Sequence, residues 1–148
     1  MAVFTASISN TAQSTTNDTM TIIGGASRRF RVLEISVSGM AGTSASAAAC
    51  ELSLFLSTTG TTPGGSITPK KWDTNTAAFT GLVHTTWSVQ PTVSGLPYAR
   101  LGFNAYGGIY RWVCPPNKEI AFAGTEQASL RGVVGTSNIS THVVIEEI

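Results

Sequence analysis

The sequence predicts an all-β protein: a single-domain antiparallel β-sandwich, jelly-roll-like, preceded by a polar N-terminal arm. Three observations predict it. Apolar residues recur with a period of two, turn-forming residues interrupt the chain at short intervals, and no segment longer than about two turns carries a helical apolar stripe. At 148 residues the chain fits one domain with one core. Residues 1–18 are assigned to the arm, with a possible first strand, and residues 19–148 to the sandwich.

Each element has its own warrant. Leu33, Ile35 and Val37 alternate with Glu34, Ser36 and Ser38, the pattern of a strand with one buried face. Cys50, Leu52, Leu54 and Leu56 alternate with Glu51, Ser53, Phe55 and Ser57 in the same way. Further strands are expected over Thr19–Ile23, Thr85–Gln90, Ile109–Val113, Glu119–Ala123, Ser129–Val134 and Thr141–Ile148, with Tyr98–Phe103 adding one more. Gly, Pro, Asn and Thr-rich breaks separate them at Gly39–Ser46, Thr58–Ser66, Pro91–Gly95, Cys114–Lys118 and Gly135–Ser140. A short helical piece is expected around Trp72–Phe79. Residues 5–18 hold almost only Ser, Thr, Asn, Gln and Ala. They read, with the Thr58–Ser66 loop, as elements that order on a neighbour.

Charged residues make up 11% of the chain, less than half of the usual share of about 25%. Ser, Thr, Gly and Ala take their place, giving a neutral exterior that another protein covers at little desolvation cost. The net charge of +1 gives no electrostatic footprint for nucleic acid. Arg28, Arg29 and Arg31 form the one basic cluster, read as a solvated strand end or an inter-subunit ion-pair donor in preference to a phosphate site. No apolar run reaches the roughly 18 residues of a membrane span, and no secretory signal is visible at Met1–Thr5. Cys50 and Cys114 sit in apolar runs and are expected as buried free thiols, consistent with a reducing cytoplasm.

Chemistry finds little to stand on. His84 and His142 lie in no metal-ligand spacing, and Glu146 and Glu147, adjacent on a strand, point to opposite faces. Asp18 and Asp73 are isolated, and no Gly-x-Ser-x-Gly elbow exists. No catalytic residue, metal ligand or cofactor is therefore expected. Tyr98, Phe103, Tyr106, Tyr110 and Trp112 cluster within fifteen positions. That density suits a core or interface strand, and as a second reading a sugar-stacking face.

The segment from Tyr106 to Ile120, with Tyr110-Arg111-Trp112 followed by Pro115-Pro116, resembles a pattern of small tailed-bacteriophage structural proteins. Ser129–Thr136 and His142–Ile148 extend the resemblance, which covers about the C-terminal third. It implies a virion component located on the capsid surface and assembled in the host cytoplasm. The expected role is a capsid cement (decoration) protein that binds the major capsid protein, or another virion protein, as a homo-oligomer with a trimer favoured. A tail, neck or fibre-associated protein, or a sugar-binding host-recognition module, is the alternative. No nucleic acid or membrane partner is expected. Candidate interaction residues are Trp87, Tyr110 and Trp112, grouped on one sandwich face, with Arg28, Arg29 and Arg31.

Overall fold

The computed structural model describes residues 1–41, 48–58 and 62–148, and among them every regular element is a strand. The strands are β1 (Ala2–Ala12), β2 (Asp18–Ile23), β3 (Phe30–Gly39), β4 (Ala49–Ser57), β5 (Thr62–Ile67) and β6 (Lys70–Lys71). They continue as β7 (Leu82–Val89), β8 (Val93–Asn104), β9 (Ile109–Val113), β10 (Ile120–Phe122), β11 (Gln127–Val134) and β12 (Asn138–Glu147). One sheet runs β10-β3-β12-β1-β6, with β9 also pairing β3; the other runs β5-β7-β2-β11-β4-β8. We call these sheets A and B. All pairings are antiparallel.

The two sheets pack as a sandwich because their long strands each offer one apolar face. Phe4, Phe30, Ile35, Val143 and Ile145 from sheet A meet Met20, Ile22, Leu52, Leu54, Leu101 and Leu130 from sheet B, all fully buried. Phe30 and Phe122 stack with ring centroids 5.0 Å apart, closing one side of this core. Side chains of this size contribute about 1.5–3 kcal/mol each on burial, so the shared interior stabilises the fold.

Three expectations change. The arm is in large part a strand: residues 2–12 form β1, paired along β12 from Ala2↔Glu147 to Ala12↔Asn138. Phe4 and Ala6 point into the core, and small polar residues occupy the alternate positions, so a half-buried strand hides inside an uncharged Ser/Thr-rich composition. Around Trp72–Phe79 there is a turn in place of a helix. Asp73 accepts hydrogen bonds from the backbone N–H of Asn75 (2.9 Å, side chain) and Thr76 (3.1 Å, carbonyl), a local pattern that competes with helix formation. In β3 the buried positions are Phe30, Val32, Ile35, Val37 and Gly39. The register against β12 skips Leu33, so a bulge turns Leu33 off the apolar face and shifts the alternation by one residue.

Part of the Thr58–Ser66 loop belongs to edge strand β5, paired with β7; residues 59–61 lie outside the described residues, as do residues 42–47 of the Gly39–Ser46 break. Cys50 and Cys114 are free and buried. The Cys114 thiol donates to the Lys118 carbonyl at 2.8 Å across the Pro-Pro turn, and burial pushes its pKa up.

Candidate functional site

Three features stand out from the sandwich: a buried polar network on sheet B, an apolar lateral edge, and a trough on the outer face of sheet A.

The network centres on Asp18, whose side chain is fully buried. Arg131 Nε donates to its Oδ1 at 2.7 Å, while the hydroxyls of Thr21 (2.8 Å) and Ser129 donate to its Oδ2. Trp87 Nε1 donates to Thr21 Oγ1 at 2.9 Å, and Gln90 Oε1 accepts from the Asp18 backbone N–H at 2.9 Å. Both carboxylate oxygens are thus engaged, and β2, β11 and the β7–β8 connection are tied together. Sequence reading left Asp18 isolated because Arg131 lies 113 positions away; no local signal joins the two.

The lateral edge forms where β8 of sheet B lies against β9 of sheet A. Between Ser94 and Ala99 the register of β8 against β4 is broken, and residues 95–98 bulge outward. Gly95 sits at φ 68°, a conformation glycine adopts without steric penalty. Leu96 projects from this bulge, 84% exposed. Tyr98 packs edge-on against Phe122 with centroids 5.7 Å apart. Ile109, Tyr110 and Val113 on β9 are exposed as well, with Ile109 at 79%. The nearby cations are neutralised within the chain: Arg111 forms a two-pronged pair with Glu34, both bonds 2.6 Å, and Arg100 reaches Glu51 at 3.0 Å. The hydrogen bond from Arg111 holds the Glu34 carboxyl below the usual carboxylate range.

The trough is a cavity of about 240 Å³ beside this edge. Ile109 supplies an apolar wall, and Ser7, Ser36, Ser38 and Ser140 form a hydroxyl rim with His142; Ile8 and Val37 border it too, but their side chains pack into the core.

The candidate residues do not share one face. Trp87 lies on sheet B, almost buried, and packs edge-on against His84 with centroids 5.0 Å apart. Tyr110 and Trp112 sit across β3 from Val37 and Ile35 in sheet A, so they point toward the sandwich interior at its lateral edge. Trp112 packs against the core and Tyr110 stays exposed. The grouping fails because two-residue spacing places neighbours on one strand but says nothing about which sheet a distant strand joins. The arginines also separate. Arg31 pairs with Glu146 at 2.5 Å and Glu119 at 3.4 Å, whereas Arg28 and Arg29 are exposed on the turn before β3. Glu147 instead accepts the Thr80 backbone N–H at 3.0 Å, so the terminal carboxylates serve different neighbours. His84 Nδ1 lies 3.3 Å from the Gly65 carbonyl, and His142 lies between Ser7 and Ser36 on the sheet A ladder.

No family model, curated protein or solved structure matches the chain. The surface itself carries the functional argument. Among the described residues no group of three or more His, Cys, Asp or Glu gathers into a metal site, and no helix is long and apolar enough to cross a membrane. Leu96 was missed as a site residue because it falls next to a Gly-Leu-Pro break, which reads as a turn; a lone leucine there gives no sign of exposure.

Proposed function

We propose that this chain is a structural protein of a virus particle, a capsid cement (decoration) protein that packs against the assembled major capsid shell. The observation that carries the reading is the lateral edge. Leu96, Tyr98, Ile109, Tyr110 and Val113 leave large apolar side chains exposed on adjoining strands, with the local cations already paired inside the chain. Exposed apolar side chains strung along one edge offer a surface that another protein can cover. The neutral Ser/Thr surroundings lower the cost of covering them. The virion assignment is supported by the resemblance over Tyr106–Ile120, which includes β9 itself. Since β1 is built into sheet A, the contact falls to the edge and not to an N-terminal arm. Many copies on one shell would then multiply modest contacts into a strong lattice.

The test is direct. Antibody raised against the purified protein should decorate the capsid shell of intact particles in negative-stain micrographs, and Ile109→Asp with Val113→Asp should strip the protein from the shell. Label confined to tails would move the assignment to a tail or neck component. Absence of label on every particle would sink it.

A further inference from the structure

We infer that the free edge of β9 receives an extended strand of the shell protein, so that sheet A continues across the contact. The inference deepens the packing reading and rests on it for the identity of the partner.

The register of β9 shows which of its main-chain groups are unused. The Cys114 N–H donates to the Leu33 carbonyl at 2.9 Å, and the pairing runs on in the same register from Glu34↔Val113 to Ser38↔Ile109. Main-chain groups of an antiparallel strand turn alternately to one side and the other. Trp112 and Tyr110 therefore bond to β3, while the N–H and C=O of Ile109, Arg111 and Val113 point away from it. Among the described residues no strand pairs with that side.

The other edge strands are blunted in the ways that keep a sheet from adding strands. β6 is two lysines long and β10 three residues long. β5 carries Pro63-Gly64-Gly65 and slips register three times against β7. β8 carries the bulge over residues 95–98, with Pro97 inside it. β9 has neither proline nor bulge, and its one charge, Arg111, is answered by Glu34. It is the regular edge left open.

The hydrogen-bond pattern selects the occupant. Three donors and three acceptors at alternate residues are matched by an extended chain, whose side chains then fall beside those of Ile109, Arg111 and Val113. Ile109 is 79% exposed and Val113 52% exposed, so the incoming residues opposite them are apolar and four positions apart. The residue between them meets Arg111. The Glu34 pair occupies Nε and Nη2 of that guanidinium, and Nη1 has no partner among the described residues, so this middle residue is a neutral hydrogen-bond acceptor such as Ser, Thr or Asn. A second copy of β9 fits badly. The antiparallel register that engages all three residues sets Arg111 opposite Arg111, an unfavourable pair of like charges.

Amide hydrogen exchange reads the contact residue by residue. In the free protein the amides of Tyr110, Trp112 and Cys114 should exchange slowly and those of Ile109, Arg111 and Val113 quickly. After binding to purified capsid shells, the second set should slow as well. Proline at an outward-facing edge position removes a donor and leaves the β3 ladder whole. Val113→Pro should therefore weaken shell binding on the order of tenfold more than Val113→Ala, which loses the side chain alone. Protein that binds shells with Ile109, Arg111 and Val113 exchanging as in solution, or with the two variants equally affected, would overturn strand addition and leave the cement reading standing. Protein that binds no shell would overturn both. Should Val113→Pro lose its β-type circular dichroism, the exchange pattern of the wild-type protein decides alone.

Discussion

Arg131 and Asp18 form an ion pair at 2.6 Å in which the aspartate side chain is wholly shielded from solvent and the arginine retains 13% exposure. A charge in that position is tolerated only because the guanidinium and two hydroxyls answer it. Arg131→Met removes the compensating cation and leaves the carboxylate stranded, at a cost of about 3–5 kcal/mol. Adding Asp18→Asn to Arg131→Met removes the stranded charge and should recover part of that loss. Urea denaturation of the single and double variants measures both. A double variant no more stable than Arg131→Met alone would show that the cost lies elsewhere than in the uncompensated charge.

The Glu34–Arg111 pair on sheet A behaves differently because its arginine side chain stands in water. The Arg111 hydrogen bond favours the ionised carboxyl, which lowers the folded-state midpoint of Glu34 below 4.5. With the folded value below the unfolded one, the stabilisation is fully present above about pH 4.5 and is lost as pH falls through the folded midpoint. Arg111→Gln should move the Glu34 midpoint upward in a carboxyl-detected NMR titration, with the same variant losing its extra stability between neutral and acid pH. A midpoint unchanged by the substitution would assign the shift to another neighbour, Ser36 among them.

How much of this was legible beforehand follows from what kind of contact each feature is. β4 and β9 were legible because their alternation lies within a few residues, and two-residue periodicity is a local property. β1 was obscured because only Val3, Phe4 and Ile8 stand out as larger apolar residues among its serines and threonines, and its pairing partner β12 lies at the other end of the chain. β5 and β6 are short edge strands whose Pro-Gly-Gly and Lys-Lys sequences read as loop. Trp87, Tyr110 and Trp112 were recognised as important aromatics, but their separation onto two sheets depends on strand order. The Asp18 network and the exposed bulge at Leu96 depend on long-range register, which no window of sequence contains.

Gly39 ends β3 where the β8–β9 connection crosses it. A methyl group there would lie 2.2 Å from the Asn104 carbonyl oxygen and 2.4 Å from that of Ala105, both backbone atoms. Gly39→Ala should therefore force residues 104–105 away, costing about 1–3 kcal/mol as overpacking does. The displacement passes to β9, which follows the turn directly, so amide chemical shifts of Ile109–Val113 should move with those of residues 104–108. Shifts confined to β3 would mean that the turn yields without carrying the lateral edge with it.

Residues 2–12 provide the most direct test of how the sandwich is built. If they were an appendage, their removal would leave the remaining transition intact. The structure places Phe4 at zero exposure, against Phe79 with centroids 5.3 Å apart, and lines β1 along nearly the whole of β12. Phe4→Ala alone should cost about 3–5 kcal/mol. Deleting the strand adds the loss of Ala6 from the core and exposes the unpaired edge of β12, whose Val143 and Ile145 are fully buried. Against a total stability of about 5–15 kcal/mol for a domain, that sum leaves little or no folded protein. Deletion of residues 2–12 should abolish the cooperative thermal transition followed by circular dichroism, while Ser7→Ala and Ser9→Ala, at exposed positions of the same strand, should leave it within about 0.5 kcal/mol of wild type. A deleted chain that still melts cooperatively near the wild-type temperature would demote β1 from core strand to attachment, and would return the N-terminus to candidacy as a reaching arm.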